Sequence, residues 1–436
     1  MSERVHESVA CVYCGCLCDD LRVTVRDNRI VRVERACALG ASKLMNYRTD
    51  RLKRPLVRRG GRLVETGVDE AIDRAASVLS EAKYPLLYGW SSTSNEAIAA
   101  GLELAEEVGG VYDNTATVCH GPTILADHDI GHSSSTLGEI KNRADLVVYW
   151  GCNPAEAHPR HAARYTVMAR GFFRPSRKDR TLIVVDVRET ATARMADRFI
   201  RVDPGSDFEV LTALRVLSMQ GELEGPDEVG GVPVGELEEM AEMMIGCEFG
   251  AILFGLGLTM SRGTYRNIDA ALSLVRDLNR RTKFVIMPMR GHFNVTGANT
   301  VSTWETGYPY AVDFSLGYPQ YNPGDTSAVD ILARGCNDAT LVVAADPVSS
   351  FPAPAVRHML RKPLVVIDPH RSPTTMAADV VIPSALVGIE AGGTAYRMDV
   401  VPLPLKKLVD PPEGVLSDEE ILRRILGRVK ERRRKG

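Results

Sequence analysis

Residues 144–151 read ADLVVYWG and residues 181–187 read TLIVVDV. Each is a short, unbroken apolar run closed by a polar turn. A run of that length with no polar alternation fits a strand buried on both faces, as in a parallel sheet covered by helices. Outward from these two runs the same punctuation repeats. GVDEAIDRAASVLSEA, from Gly67, has helical spacing and leads into the strand-like YPLLYGW. SNEAIAAGLELAEEVGG is a second helix, closed by Gly109-Gly110. DFEVLTALRVLSMQ and NIDAALSLVRDLNRR read as helices, GAILFGLGLT and KFVIMPM as strands. After a Gly/Pro/Tyr-rich stretch from Thr303 to Asp325 the rhythm resumes in ATLVVAADP, PAPAVRHMLRK, PLVVIDP and ADVVIPSA. This alternation implies α/β architecture with parallel sheets covered on both faces. The tail EEILRRILGRVKERRRKG reads as a helix whose basic end suits its dipole.

At 436 residues the chain has room for two or three domains and a core that needs no staples. Lys and Arg number 53 against 56 Asp and Glu, so no charge excess draws it to nucleic acid or an anionic membrane. No apolar run approaches the roughly 18–20 residues of a membrane span, and the first residues are polar with no signal-peptide core behind them. A cytoplasmic protein is the expectation.

The nine cysteines are unevenly placed: Cys11, Cys14, Cys16, Cys18 and Cys37 fall in the first 37 residues. A disulfide framework belongs to small exported chains, so metal ligation is the better reading. Between Cys18 and Cys37, DLRVTVRDNRIVRVE alternates on either side of Asp27-Asn28 and reads as a hairpin. Such a hairpin returns Cys37 to the C-x2-C-x3-C run of Cys11, Cys14 and Cys18. Three close thiolates and one remote one suit a 4Fe-4S cluster. A four-thiolate zinc site and plain structural thiols are the alternatives, and Cys16 is either a small neighbour or a substitute ligand. Further on, DNTATVCHGPT sets Cys119 beside His120 on a turn fixed by Gly121-Pro122. A thiol next to an imidazole serves nucleophilic catalysis, metal ligation, or only a core.

The motifs CVYCGCLCDD, TATVCHGP, WGCNPAEAHPRH and MPMRGHFNVTGAN, taken with the α/β pattern, resemble the molybdopterin oxidoreductases related to formate dehydrogenase, and among them the B subunits of formylmethanofuran dehydrogenases. The resemblance implies a small N-terminal 4Fe-4S β-hairpin domain over residues 1–52. It implies two Rossmann-like α/β domains of the formate dehydrogenase/DMSO reductase type: residues 53–114 with 291–436, and residues 115–290. It implies a bis-molybdopterin guanine dinucleotide carrying tungsten or molybdenum. Cys119 matches the thiolate that ligates that metal, His120 the imidazole beside it, and Arg290 the active-site arginine, whose guanidinium would hold formate by paired hydrogen bonds. His292 is a neighbour without an assigned role.

Two dinucleotides need backbone donors at turns and carboxylates for the guanine edge. Loops after the apolar strands offer Gly151, Asn153 and Glu156; Asp186, Arg188 and Thr190; and Asp203, Gly205 and Asp207. The second half offers Asp346, Asp368 and Thr374, and GIEAGGTAYRMD matches a glutamate–glycine–threonine loop with Glu390, Gly393 and Thr394. Each is also an ordinary capping or turn residue type. No G-x-G-x-x-G follows a strand, which disfavours a nicotinamide site.

Full-length formate dehydrogenases carry a C-terminal β-barrel, whereas this chain reaches a helix soon after its last α/β strand. The family's lysine lies close behind the fourth cluster cysteine; here the nearest is Lys43. The expected activity is reduction of carbon dioxide to formate as the catalytic subunit of a formylmethanofuran dehydrogenase in methanogenesis. The expected partners are an amidohydrolase subunit, a small β-barrel dinucleotide-binding subunit, and polyferredoxin or ferredoxin-type donors, with no nucleic acid. The rivals are a formate dehydrogenase subunit serving other carriers and a metal-free scaffold in a formyltransferase/hydrolase complex.

Overall fold

The computed structural model describes residues 3–225 and 227–434; Lys435 and Gly436 of the basic tail, and Met1 and Ser2, lie outside them. The chain forms two compact units, Met1–Val118 with His292–Gly436, and Cys119–Gly291. It passes between them twice, at 118/119 and at 291/292, so Cys119, His120 and Arg290 all lie within two residues of a passage.

In the first unit the described strands Val111–Asn114, Pro85–Gly89, Ala339–Val343, Leu364–Ile367 and Val380–Ile382 lie side by side and parallel. Nearly every residue in them is buried, as unbroken apolar runs require. Antiparallel edge strands extend the sheet: Val312–Asp313 and Gln320–Tyr321 on one side, Leu56–Arg59 and Arg62–Glu65 on the other. The first pair comes from the Gly/Pro/Tyr-rich stretch, whose beginning is the end of the helix Val295–Thr306. Helices Val68–Glu81, Asn95–Val108 and Asp418–Arg433 share a core with this sheet. The tail helix buries Ile421, Leu422, Ile425, Leu426 and Val429, an i, i+4 stripe, and apart from the buried Asp418 keeps its charges outside, with Lys430 on Glu103 at 2.8 Å. It is therefore part of the core.

The N-terminal segment belongs to this unit as a three-stranded antiparallel sheet, Glu3–Val9, Leu21–Arg26 and Arg29–Glu34. Asp27 and Asn28 both have positive φ (48° and 58°), the conformation a two-residue hairpin turn needs.

The second unit holds a parallel sheet ordered Arg198–Arg201, Thr181–Asp186, Leu146–Trp150, Phe249–Phe254 and Lys283–Pro288. GAILFGLGLT is not one strand: the strand stops at Phe254 and a short helix, Leu256–Thr259, follows. Gly255 and Gly257 make that break and pack on the Gly151 backbone. Both parallel sheets reverse their strand order once, between Pro85–Gly89 and Ala339–Val343 and between Leu146–Trp150 and Phe249–Phe254. Open α/β sheets bind ligands in the crevice at the carboxyl ends of such strands. Among the described residues no helix is long and apolar enough to cross a membrane.

Candidate active site

The cysteine loop precedes the hairpin and folds on itself: the Cys11 N–H donates to the Cys18 carbonyl at 2.9 Å, and that of Leu17 to the Cys14 carbonyl at 3.0 Å. Cys11, Cys14, Cys16 and Cys18 are buried. Cys37 caps the helix Ala38–Met45, its sulfur accepting the Gly40 N–H at 3.3 Å. Burial pushes the Cys11 thiol up to about 12, and the sulfurs of Cys18, Cys14 and Cys37 are near enough to add to it. The Cys16 thiol donates to Cys14 and holds that sulfur toward its thiolate form, as a neighbour would. Gly40 is where the space is made: a Cβ there would stand 2.8 Å from the Cys11 sulfur and 3.6 Å from that of Cys37. Among the described residues no group of three or more His, Cys, Asp or Glu side chains is placed to hold a single metal ion.

The same helix carries Lys43 into a cavity of about 350 Å3 at the switch point of the larger sheet, with His292, Asp346, Asp368, His370 and Asp418. Burial raises the Asp368 carboxyl to about 7; the His370 N–H, at 2.8 Å, and the Lys43 charge pull it back. His292 pairs its backbone with Cys14, which ties this cavity to the cysteine loop. Asp346 is less free than its position suggests. One oxygen accepts the Thr374 N–H (3.1 Å) and hydroxyl, the other the Ser349 hydroxyl (2.6 Å). Thr394 is likewise committed, donating to Glu96 at 2.7 Å and accepting from Asn95 at 3.0 Å, beside Gly393 at φ 147°. Glu390 is buried against Arg51 at 2.6 Å, and the Arg51 guanidinium also donates to the carbonyls of Leu52, Pro369 and Ser384. These contacts hold the loop in shape.

In the second unit Gly151 leaves its strand at φ 55°, where a Cβ would meet the Leu258 nitrogen at 2.8 Å. Asn153 accepts the Thr192 hydroxyl at 2.7 Å, while its buried Nδ2 has no partner among the described residues. Asp186 ends the next strand, accepts the Arg188 N–H at 3.3 Å, and is raised by burial. Thr190 is buried and accepts the Ala193 N–H at 3.1 Å. Glu156, Arg188 and Asp203 are exposed. Gly205 makes the turn closed by the Ser206 N–H on the Asp203 carbonyl, and Asp207 is spent on Trp150 (2.9 Å) and Ser261 (3.0 Å).

Cys119 and His120 open the helix Gly121–Ile130, with Pro122 fixing its first turn. The Cys119 carbonyl accepts the Thr259 hydroxyl at 2.9 Å. Burial raises the thiol to about 11, against the pull of the Arg290 charge. His120 is fully buried, so its pKa falls to about 3 and the ring is neutral; Nδ1 faces the Thr123 hydroxyl at 3.2 Å and the ring also bonds the Met289 carbonyl. Arg290 is buried, and its Nε and Nη1 find no partner among the described residues. Cys119, His120 and Arg290, 171 positions apart at the extremes, thus come together in one unit. Two further histidines, unassigned from sequence, lie buried nearby: His158 donates to the Arg290 carbonyl at 2.8 Å, and His161 meets the Tyr149 hydroxyl at 2.8 Å. Their presence in WGCNPAEAHPRH was the available signal.

The molybdopterin oxidoreductase pattern matches residues 51–428. The chain belongs to the molybdopterin oxidoreductase family and is an oxidoreductase. Within the family it is 52% identical, over 98% of its length and 99% of the relative's, to the B subunit of the tungsten-containing formylmethanofuran dehydrogenase 2 of Methanocaldococcus jannaschii. It is 47% identical to the corresponding subunit of Methanococcus maripaludis, over 98% and 99% of the two chains. Among solved structures, a chain of the formyltransferase/hydrolase complex of Methylorubrum extorquens, in complex with methylofuran, superposes with a TM-score of 0.70 at 24% identity, over 87% of this chain and 99% of that one. The shared fold is all that this last likeness carries.

Proposed function

We propose that the chain is the catalytic subunit of a formylmethanofuran dehydrogenase and reduces carbon dioxide to formate at a tungsten or molybdenum ion held by two molybdopterin guanine dinucleotides. The observation that carries this reading is the buried Arg290 guanidinium, two of whose nitrogens lack partners beside Cys119 and His120. A buried cation without hydrogen bonds is costly until a ligand supplies acceptors. A planar carboxylate supplies two, in the geometry a guanidinium matches.

The residues present fit the implied groups. Cys119 offers a soft sulfur ligand to the heavy metal, and Cys11, Cys14, Cys18 and Cys37 would hold a 4Fe-4S cluster in the space kept open by Gly40. The cavity of Lys43, Asp346 and Asp368, and the loop of Gly151, Asn153 and Asp186, would take the dinucleotides. The unpartnered Asn153 amide is a donor suited to phosphate or carbonyl oxygen. When bound, the metal centre supplies the two-electron redox step, and the iron–sulfur cluster passes electrons singly. Carbon dioxide gains two electrons and one proton to become formate. Arg290 holds the oxygens on which negative charge gathers. His120, next to Cys119 in the chain and with its ring on the Met289 carbonyl and the Thr123 hydroxyl, would manage the proton. The relative is named a subunit, so partner chains are expected: an amidohydrolase to condense formate with methanofuran, a small β-barrel chain to complete the dinucleotide site, and ferredoxin-type donors.

The test is metal analysis of the purified complex joined to a Cys119→Ser variant. One cubane per chain gives about four iron atoms, with one tungsten or molybdenum. Cys119→Ser is expected to abolish dye-linked formate oxidation while the iron stays. Full activity in the variant, or an active complex with neither heavy metal, would overturn the assignment.

A further inference from the structure

Arg290 follows the strand Lys283–Pro288 on a segment with no ladder of its own, so other groups must hold its backbone. The Met289 N–H donates to the Phe254 carbonyl at 2.7 Å. The Met289 carbonyl receives the ring of His120, and the Arg290 carbonyl receives that of His158 at 2.8 Å. Two buried imidazoles thus pin two consecutive carbonyls. A carbonyl can only accept, so His158 Nε2 carries its proton and the tautomer is set. The His158 backbone is itself fixed: its N–H donates to Pro154 at 2.9 Å, and its carbonyl accepts the His161 N–H at 2.8 Å. Yet the guanidinium that this backbone carries has two nitrogens without protein partners. Its direction in the site therefore depends on how its main chain is held.

We propose that His158 is a positioning residue: by clamping the Arg290 carbonyl it aims the guanidinium at the bound carboxylate. This rests on the reading of Arg290 as the anion-binding group. His158 does not touch the substrate and transfers no proton, because its Nε2–H is committed to a carbonyl. The donor alone matters, so a side chain that places an N–H at the same point can replace it. Glutamine puts its amide nitrogen where Nε2 lies; asparagine is too short.

The experiment uses the assembled, metal-loaded complex with His158→Ala, His158→Gln, His158→Asn and Arg290→Ala. The readouts are the Kd of nitrate, a planar anion, by isothermal titration of the oxidised complex, and the KM and kcat of dye-linked formate oxidation. Misaiming one charge-assisted contact is expected to raise the nitrate Kd and formate KM roughly tenfold in His158→Ala, with kcat changing far less. His158→Gln is expected to restore both with the wild-type pH profile, and His158→Asn to resemble alanine. If the alanine variant fails to assemble, the glutamine–asparagine pair decides alone. Unchanged nitrate Kd in His158→Ala or His158→Asn, while Arg290→Ala weakens it, would overturn the positioning role. Nitrate binding unaffected by Arg290→Ala would instead overturn the reading of Arg290 itself. A shifted pH profile in His158→Gln, with nitrate Kd restored, would make His158 a proton carrier and overturn the proposal equally.

Discussion

Asp113, the penultimate residue of the strand Val111–Asn114, has no exposed surface. One carboxyl oxygen accepts the N–H groups of Asn114 (2.9 Å) and Ala311 (3.0 Å), the other that of Ala328 (2.6 Å). Burial pushes this carboxyl up to about 7, and these three donors, with the Thr117 hydroxyl, pull it back only in part. Tyr310 and Tyr321 face it, and burial first, with this carboxyl adding to it, pushes their hydroxyls up, so they stay neutral. A folded-state pKa above the ordinary 3.8 means that the folded chain takes up a proton the unfolded chain releases. The stability this contributes is complete below about pH 4 and is lost as the pH rises through about 7. Asp113→Asn cannot ionise, and it turns an amide N–H toward the Ala328 N–H, at a cost of about 1–3 kcal/mol. The wild type should therefore melt higher than the variant at pH 5, and the gap should narrow by pH 8. A gap independent of pH would mean that the carboxyl is ionised throughout.

The helix Ala38–Met45 joins local propensity to site chemistry in opposite senses. Glycine inside a helix costs about 1 kcal/mol relative to alanine, so Gly40→Ala on propensity alone stabilises. The added methyl, however, would sit 2.8 Å from the Cys11 sulfur. The expected outcome is a chain that folds with helix intact while its iron falls well below the about four atoms of a full cubane. Retention of full iron would mean that the cluster does not lie against Gly40. At this scale the parallel strands were legible because burial on both faces leaves an unbroken apolar run. The strand Glu3–Val9 was not, since six of its seven side chains escape burial and no pattern marks it. Nor does local sequence show how the candidate dinucleotide loops are held. Glu390 finds Arg51 across 339 positions, and Thr394 finds Glu96 across 298. The residue types suit a dinucleotide loop, and the protein partners that hold them come from afar. His158 was hidden for a related reason: its role lies in a carbonyl 132 positions away.

Across the whole molecule, the two sites are built from separate stretches of chain in separate compact units: the cysteine loop and Cys37 in one, Cys119, His120 and Arg290 in the other. Each unit has its own apolar core. Loss of function at the two sites should therefore separate by metal. Cys37→Ser removes one thiolate from the cubane and is expected to lower iron, with tungsten or molybdenum still bound and dye-linked formate oxidation lost for want of an electron path. Cys119→Ser is expected to lose the same activity with iron near its full complement. The nitrate Kd sharpens the contrast, because Arg290 stands in the unit of Cys119: Cys37→Ser should leave it at the wild-type value. Elemental analysis and titration of both complexes check this together. If Cys37→Ser also empties the heavy-metal site or abolishes nitrate binding, the two units do not assemble their sites independently.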